Sequence, residues 1–483
     1  MGNVQLKKDI TKIDVCTELK WYINTIHSLP SNSTSLTDTY ILYLKNLFRE
    51  SESQPINEVF IKLFIPSEDR AELSYEMEVY KITNQLINLN INPGYTYVYN
   101  NANNCTYDNI FDIFNNKLFF IPPPLGGSGV GTFSEITDLE RKFNRNIWFI
   151  INEIETESGK DKYGKRPALH EEGKYIEEVL NPKSYKFNFI VMQSHADKIE
   201  LRNFVKTYKD TPDFRENMFH IFFLISTALY AFSLSGCVHN DIHYGNIFIE
   251  ELKEIEKSIL CINGIYFMIQ CKYKVYIYDF DRSYCKNLGD NVVLNYLCEF
   301  DFQCNEWYDN LDFVTLVCFF TDYKTLFHDE LIDCIVSDTE INTSMKASPN
   351  KGLNDNKYFF KNNKEKIDFL NNKCYKMNDI IGNIYKKLPS IHIMNTDTFN
   401  LYVCDSKYFN DQGLIHTEDN INIIVDDYEK IKQNIKTNGI PLPKKIRLRS
   451  ETIEEGSVKK KRSDGRSKRR RSPKNKRKKR KSP

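Results

Sequence analysis

Short apolar runs separated by polar segments predict β-strands in the first part of the chain. Runs rich in β-branched and aromatic residues lie at residues 39–44, 59–65 and 185–192, and this is the composition and length of strands. Ahead of them, the chain is expected to begin with an amphipathic helix, followed by a polar loop of Ser, Asn and Thr at residues 31–35. The pattern therefore predicts a β-rich first region.

Longer stretches with a helical pattern predict helices at residues 73–81, 199–205, 218–236 and 307–320. The third is nearly all apolar, and Gly236 closes it as a natural C-terminal cap. It has the length of a membrane span, but it contains a histidine and several serines and runs directly into a polar loop. A buried core helix is therefore favoured, and no membrane span is expected.

The apolar run at 59–65 contains one lysine, Lys62, at its centre. A buried strand tolerates an ammonium group only if that group has a partner of opposite charge. Glu76, in the following helix, is expected to form an ion pair with Lys62 of the kind that positions a lysine on ATP phosphates. A solvated lysine on an edge strand is the alternative, and Glu72 and Glu78 remain open as partners because the sequence does not fix the helix phase.

Candidate catalytic residues are concentrated in residues 238–283. Asp241 precedes Asn246 by five residues in a polar loop, and a second carboxylate, Asp279, follows an apolar run. An Asp and an Asn at this spacing, with a further Asp on a hairpin, can hold a divalent metal ion and a nucleophilic hydroxyl around a phosphate. The segment therefore predicts phosphoryl-transfer chemistry.

A glycine-rich stretch at residues 125–133 looks like a phosphate cradle, since backbone N–H groups of glycines bind phosphate. However, it follows the lysine-bearing strand rather than preceding it, and it lacks the Gly-Lys-Ser/Thr ending of a P-loop. A flexible loop within an insertion at about residues 101–180 is favoured. An unusual role in covering a nucleotide is the alternative.

The net charge of +1 hides a strong asymmetry, because sixteen of the 66 Lys and Arg residues lie at 459–481 with one acid among them. Such a composition predicts a disordered tail that binds nucleic acid or another polyanion without sequence preference, or that directs nuclear import. A tail that only aids solubility is the alternative. The twelve cysteines occur singly, without a Cys-x-x-Cys pair, which favours free thiols in a reducing compartment over disulfides or a zinc site.

Together these residues resemble the protein-kinase-like superfamily. The segment from His239 to Asn246 is similar to its catalytic loop, Asp279-Phe280-Asp281 is similar to its Asp-Phe-Gly motif, and Asp312 resembles the Asp that braces the loop from a central helix. The wording His-Asn-Asp-Ile-His-Tyr-Gly-Asn followed by Tyr-Asp-Phe-Asp-Arg-Ser most resembles divergent Ser/Thr kinases of large cytoplasmic DNA viruses, of the asfarvirus and iridovirus type. The similarity covers about residues 30–330.

The resemblance implies an α+β, bilobal protein-kinase-like fold with insertions and a disordered basic tail. A β-rich N-lobe would span residues 1–192, a mostly helical C-lobe residues 193–440, and the tail residues 441–483. It also implies a serine/threonine protein kinase that uses ATP and Mg²⁺ (or Mn²⁺) on a protein substrate, in the virion and the host cytoplasm. A small-molecule phosphotransferase of the aminoglycoside or choline kinase type, and a pseudokinase scaffold that binds nucleic acid through its tail, are the alternatives.

The resemblance further gives a role to each catalytic candidate. Asp241 would accept the proton of the substrate hydroxyl. Asn246 and Asp279 would bind the metal ions. Lys62, held by Glu76, would contact the α- and β-phosphates.

Other positions concern the nucleotide pocket and depart in part from the family pattern. Met192 is expected at the back of the adenine pocket, beside the linker at 189–195. His243 stands where protein kinases commonly have a lysine, and a contact with the γ-phosphate is expected there. No glycine occurs between Gly2 and Gly94, so the family's glycine-rich loop is missing.

Overall fold

The structure, a computed structural model, describes residues 7–28, 38–49, 55–64, 72–114, 118–121, 132–135, 186–300, 303–319, 326–347, 363–389, 399–413 and 418–439. The chain divides between Pro441 and Leu442, and the basic tail lies wholly outside the described residues. The polar loop at 31–35 and most of the glycine-rich stretch at 125–133 also lie outside them. Their expected roles therefore rest on the sequence.

The described residues of the N-terminal region form a large sheet and two α-helices. The strands are β1 (Lys8–Asp9), β2 (Ile23–Ser28), β3 (Asp38–Phe48), β4 (Pro55–Phe64), β5 (Val98–Thr106), β6 (Leu118–Ile121), β7 (Thr132–Glu135) and β8 (Lys186–Gln193), and the helices are α1 (Glu72–Asn88) and α2 (Tyr107–Phe114). The strand order is β5-β8-β4-β3-β2-β6-β7, with β1 beside β3. Strand β4, which carries the lysine, pairs antiparallel with β3 on one side and β8 on the other.

The two faces of this sheet belong to different packed layers. In β8, Phe187, Phe189 and Val191 pack in a core with α2 and the start of the chain, whereas Ile190 packs in the larger core that includes α1. Side chains alternate between faces along a strand, and residues directly opposite in a pair share a face. Lys62 lies opposite Ile190 and therefore faces α1.

Residues 7–28 contain no α-helix, although an amphipathic helix was expected at the start of the chain. The first described residues instead make two short 3-10 helices, Ile10–Lys12 and Leu19–Trp21, before entering β2. The side chain of Asn100, from β5, donates hydrogen bonds to the carbonyls of Ile10 and Ile13. Tertiary contacts thus satisfy backbone groups that a helix would have paired internally. Packing on the sheet therefore outweighs the helical spacing of the apolar residues in this segment.

The beginning of the expected insertion at about 101–180 is built into the sheet region. Strand β5 pairs with β8, and helix α2 contributes Ile110 and Ile113, both fully buried, to the core. Residues 136–185 lie outside the described part of the chain.

The region after β8 is mostly helical but contains a second sheet. Its helices are α3 (Leu201–Tyr208), α4 (Phe214–Leu234), α5 (Val292–Phe300), α6 (Leu311–Phe319), α7 (Leu326–Ile335), α8 (Thr339–Ala347), α9 (Asn363–Asn372), α10 (Met377–Tyr385) and α11 (Glu418–Asn438), and its strands are β9 (Ile199–Glu200), β10 (Cys237–Val238), β11 (Ile247–Ile262), β12 (Ile265–Ile277), β13 (Tyr284–Cys285) and β14 (Asn400–Cys404). Strands β11 and β12 form a long hairpin, with β14 and β9 paired to β11. The fold is therefore mixed α and β, with its β-rich part at the N-terminal end.

Helix α4 is the central helix of this second region. Among the described helices it is the one whose length and composition would allow it to cross a membrane, and 83% of its most apolar window is buried inside the protein. It packs against α10 and β12. Gly236 follows its end with a φ of 76°, and a left-handed residue of this kind is a common helix terminator. Burial against protein accounts for its apolar composition.

The expectation of free thiols is wrong for six of the cysteines. The described residues contain three disulfides, Cys16–Cys105, Cys237–Cys285 and Cys298–Cys304, and five further cysteines that are free and buried. In the first two pairs the cysteines are 89 and 48 residues apart, so their spacing in the sequence does not indicate the pairing. The chain fold, and not a sequence motif, brings these sulfur atoms together.

Candidate active site

Three charged side chains from distant parts of the sequence meet between β4, α1 and the end of β12. Lys62 Nζ lies 3.0 and 2.9 Å from the two carboxylate oxygens of Glu76 and 3.1 Å from Asp279 Oδ1. Glu76 is fully buried, and the Lys62 side chain is 10% exposed. Glu78, one of the two alternatives left open beside Glu72, is exposed and pairs with Lys81 on the outer face of α1. The expected pairing of Lys62 with Glu76 is therefore present.

Burial and charge act in opposite directions in this cluster. Burial disfavours the Lys62 ammonium, but Glu76, Asp279 and Asp281 outweigh it and raise the pKa of Lys62 well above its ordinary value. Burial likewise disfavours ionised Asp279, yet Lys62 prevails and lowers the pKa of Asp279. Asp281 has a buried Oδ1 without a hydrogen-bond partner, and burial together with Asp279 raises its pKa well above the usual range. The Lys62 ammonium therefore interacts with the carboxyl groups of Glu76, Asp279 and Asp281.

Helix α6 holds the loop between β10 and β11 in place through Asp312. Asp312, near the start of that helix, accepts hydrogen bonds from the backbone N–H groups of His239 at 2.7 Å and Asn240 at 3.0 Å. The expected bracing role of Asp312 is therefore confirmed. Asn240 has a φ of 62°, and asparagine adopts this left-handed conformation more readily than most residues. A bulkier residue would strain the same turn.

Asn246 connects this loop to the segment that carries Asp279. Its side-chain nitrogen donates to the Asp241 carbonyl at 3.0 Å, and its own carbonyl accepts from the Tyr278 N–H at 3.2 Å. Asp279 has a φ of 67°, an unusual conformation that a structure maintains only where its surroundings impose it. Asn246 is therefore hydrogen-bonded both to the backbone of Asp241 and to Tyr278, the residue before Asp279.

Phe280 anchors the Asp279 segment in the core. Its ring packs edge-on against Tyr80 of α1 at 5.2 Å and also contacts His239 at 5.0 Å and Phe232 of α4 at 5.3 Å. The Tyr80 hydroxyl accepts from the Asp279 N–H at 3.2 Å. The sequence analysis missed Tyr80, although its position four residues after Glu76 places both on one face of α1.

Asp241 has two partners that the sequence analysis also missed. Its Oδ1 accepts from Arg282 Nη1 at 3.3 Å and from Gln303 Nε2 at 3.3 Å. Arg282 stands next to the Asp-Phe-Asp motif, so the motif itself was a signal for it. Gln303 has no comparable signal, because 62 residues separate it from Asp241.

Met192 and His243 were both expected to lie near a bound nucleotide. Met192 is almost fully buried in β8, opposite Phe60 of β4, with its sulfur 4.0 Å from the Tyr80 hydroxyl. His243 bends back, so that its Nδ1 accepts from the Gly245 N–H at 2.9 Å. The structure brings Lys62, Glu76, Asp279, Asn246 and Asp241 into one connected site, whereas the described contacts of His243 lie within its own loop.

No protein-family model matches this chain, and no curated protein matches it. One of the solved structures that match is a crystal structure of a kinase domain. That alignment covers 89% of this chain and 98% of the other at 10% identity, with a TM-score of 0.30. At this level of similarity, function has to be argued from the site.

The site residues fit a metal ion that is bound together with a nucleotide. Among the described residues, no three His, Cys, Asp or Glu side chains are grouped so that they could hold a metal ion alone. Mg²⁺ in nucleotide sites is typically held by one or two protein ligands with phosphate oxygens and water. Asp279 and the amide oxygen of Asn246 are donors of this type, and the unpartnered oxygen of Asp281 favours a further cation nearby.

Proposed function

We propose that this protein is an ATP-dependent phosphotransferase with a bilobal, protein-kinase-like fold, and that its acceptor is a Ser or Thr hydroxyl of a protein. The observation that carries the proposal is the contact of one buried ammonium, Lys62, with both Glu76 and Asp279. Such an arrangement positions a lysine beside a metal-binding carboxylate, as phosphoryl transfer requires. The β-rich N-terminal region and the central helix α4 are consistent with the two lobes.

Each side chain has a distinct part in the proposed reaction. Lys62, kept charged by its carboxylate partners, would bind the α- and β-phosphates of ATP. Asn246 and Asp279 would hold Mg²⁺, which would neutralise charge on the phosphates when bound. Asp241 would orient the acceptor hydroxyl and take its proton. Catalysis would then rest on positioning and electrostatic stabilisation rather than on covalent chemistry.

A small-molecule acceptor is the second candidate. His243 stands where the family resemblance expects a lysine, and its Nδ1 is already committed to the Gly245 N–H. Histidine at this position also occurs in aminoglycoside and choline kinases, so their substrates are the appropriate comparison. A viral setting, a location in the virion or host cytoplasm, and polyanion binding by residues 459–481 remain predictions from the sequence.

The test is phosphate transfer from radiolabelled ATP with Mg²⁺ to a basic protein, an acidic protein, an aminoglycoside and choline. We expect Asp241→Asn and Asp279→Asn each to lower transfer by at least about a hundredfold. Asp210→Asn, the same change at an exposed position, is the matched control and should keep wild-type activity. Turnover retained in either active-site variant would contradict these roles, and labelling of the small molecules alone would select the second candidate.

A further inference from the structure

The acceptor side of the proposed site lacks a charge where the family resemblance places a lysine. The His243 ring lies against its own loop, and a Cβ at Gly245 would come within 2.8 Å of its Cε1 atom. Burial lowers the pKa of His243, although Asp241 opposes this shift. Because the Gly245 N–H donates to His243 Nδ1, that ring nitrogen carries no proton in the structure and the ring is uncharged. It does not supply a fixed positive charge.

Arg282 brings a permanent charge to the same place from another segment. Its Nη1 lies 3.3 Å from Asp241 Oδ1 and 3.4 Å from Gln303 Oε1, while Gln303 Nε2 donates to the same Asp241 oxygen. These three side chains form a closed hydrogen-bonded triangle.

The backbone that carries Arg282 is fixed on both sides. The Asn291 side chain, almost fully buried, donates to the carbonyl of Asp281 at 2.9 Å and to that of Ser283 at 2.8 Å. The Ser283 N–H also closes a turn onto the Phe280 carbonyl at 3.1 Å. The Arg282 side chain is nevertheless 37% exposed. A guanidinium group that is accessible and carried on a fixed backbone is suited to contact a bound anion.

We propose that Arg282 is a positioning residue for phosphoryl transfer, which orients Asp241 and places a fixed positive charge beside the transferred group. This role rests on the proposed function. The acceptor oxygen forms a bond to the γ-phosphorus of ATP while the bond between that phosphorus and the β,γ-bridging oxygen breaks. ADP is the leaving group, and the acceptor proton passes to Asp241. Arg282 thereby takes the part that a catalytic-loop lysine would play, and His243 does not.

The test compares Arg282→Ala, Arg282→Gln and Arg282→Lys in the full-length chain, with steady-state kinetics for ATP and the best acceptor. For the Ala and Gln variants we expect kcat to fall about 30–300-fold, with KM for ATP changed less than about threefold because Lys62 still binds the phosphates. The Lys variant should recover most of the loss. Added guanidinium ion should raise the rate of the Ala variant, which a purely structural defect would not allow.

Arg215→Ala, which removes an arginine paired with Glu330 on the protein surface, is the control and should leave kcat unchanged. Wild-type kcat in the Ala variant, or a rise in KM for ATP alone, would overturn the role of Arg282 and leave the proposed function intact. A wild-type protein without any ATP-dependent transfer would overturn the proposed function and this role with it.

Discussion

His195 lies in the linker after β8 and is enclosed by aromatic rings. Its ring is 4.8 Å from that of Phe248 and 5.0 Å from that of Tyr276, and its Nε2 is 2.7 Å from the Thr96 hydroxyl oxygen. Burial, helped by the nearby charge of Lys198, lowers the pKa of His195 to about 3. The folded protein therefore holds this imidazole neutral over the whole physiological pH range.

The neutral His195 should make the protein sensitive to acid. Below about pH 6.5 the His195 imidazole binds a proton in the unfolded chain but stays unprotonated in the folded chain. The free energy of unfolding therefore falls as the pH drops from there toward 3. We expect His195→Gln to remove this contribution, which is about 1–2 kcal/mol at pH 5. Thermal midpoints measured at pH 8 and pH 5 should then move closer together in the variant than in the wild type.

Thr96→Val is the companion variant, because it removes the hydrogen-bond partner without removing the titrating group. Its thermal midpoint should fall by a similar amount at both pH values. If His195→Gln kept the full acid sensitivity of the wild type, the imidazole would not be the responsible group.

At the scale of elements, helix α1 connects the strand that carries Lys62 to the segment that carries Asp279. Glu76 of α1 pairs with Lys62 of β4. The neighbouring residue, Tyr75, accepts from the Cys285 N–H at 2.7 Å and donates to the Gly289 carbonyl at 3.0 Å. A shift of α1 would therefore disturb the ion pair and the segment after Asp279 together, which gives the position of this helix control over the site.

Breaking the pair between β4 and α1 from one side should cost more than replacing both partners. Lys62→Met leaves the fully buried Glu76 carboxylate without its ammonium, and such a loss is worth about 3–5 kcal/mol. The double variant Lys62→Met with Glu76→Gln removes the uncompensated charge and should regain much of that stability. Both variants should lack phosphate transfer.

Chemical unfolding of the wild type, the two single variants and the double variant gives the coupling energy between the two residues. The sum of the two single effects should exceed the effect of the double variant. Strict additivity would mean that Lys62 and Glu76 do not stabilise one another in the folded protein.

For the whole molecule, charge is distributed unevenly along the sequence. Residues 459–481 carry a charge of about +15, and residues 1–458 carry about −14. Clustered cationic side chains bind polyanions largely through counterion release, which depends on salt and not on base sequence. The acidic remainder should contribute little to such binding, so we expect polyanion binding and phosphate transfer to be separable by mutation.

Removal of residues 457–483 should therefore weaken binding to DNA and reduce its dependence on salt, while ATP-dependent transfer stays at the wild-type rate. Retention on immobilised DNA across a salt gradient measures the first effect, and the kinase assay measures the second. A full-length variant with the basic residues of this segment replaced by Gln controls for chain length and should behave like the truncation. Equal retention of all three proteins would rule the tail out as the binding element.

Several features of the site were predictable because local chemistry left few choices. A lysine in an apolar strand needs a carboxylate, and the helical period of α1 reduced the candidates for its partner to Glu72, Glu76 and Glu78. The bracing role of Asp312 was expected from the resemblance to protein kinases, and the hydrogen bonds to the His239 and Asn240 N–H groups agree with it. By contrast, the N-terminal helix was predicted wrongly, because its apolar spacing is equally compatible with turns that pack on a sheet.

The sequence by itself indicated the strand that carries Lys62, the helix that carries Glu76 and the need for a partner to the buried lysine, because apolar period and the cost of a buried charge act locally. Only the tertiary structure decided which distant groups meet: Arg282 and Gln303 at Asp241, Asn291 around Arg282, and the three disulfide pairs. These contacts join residues through loop geometry, and loop geometry follows from the packing of the whole chain and leaves no periodic pattern in the sequence.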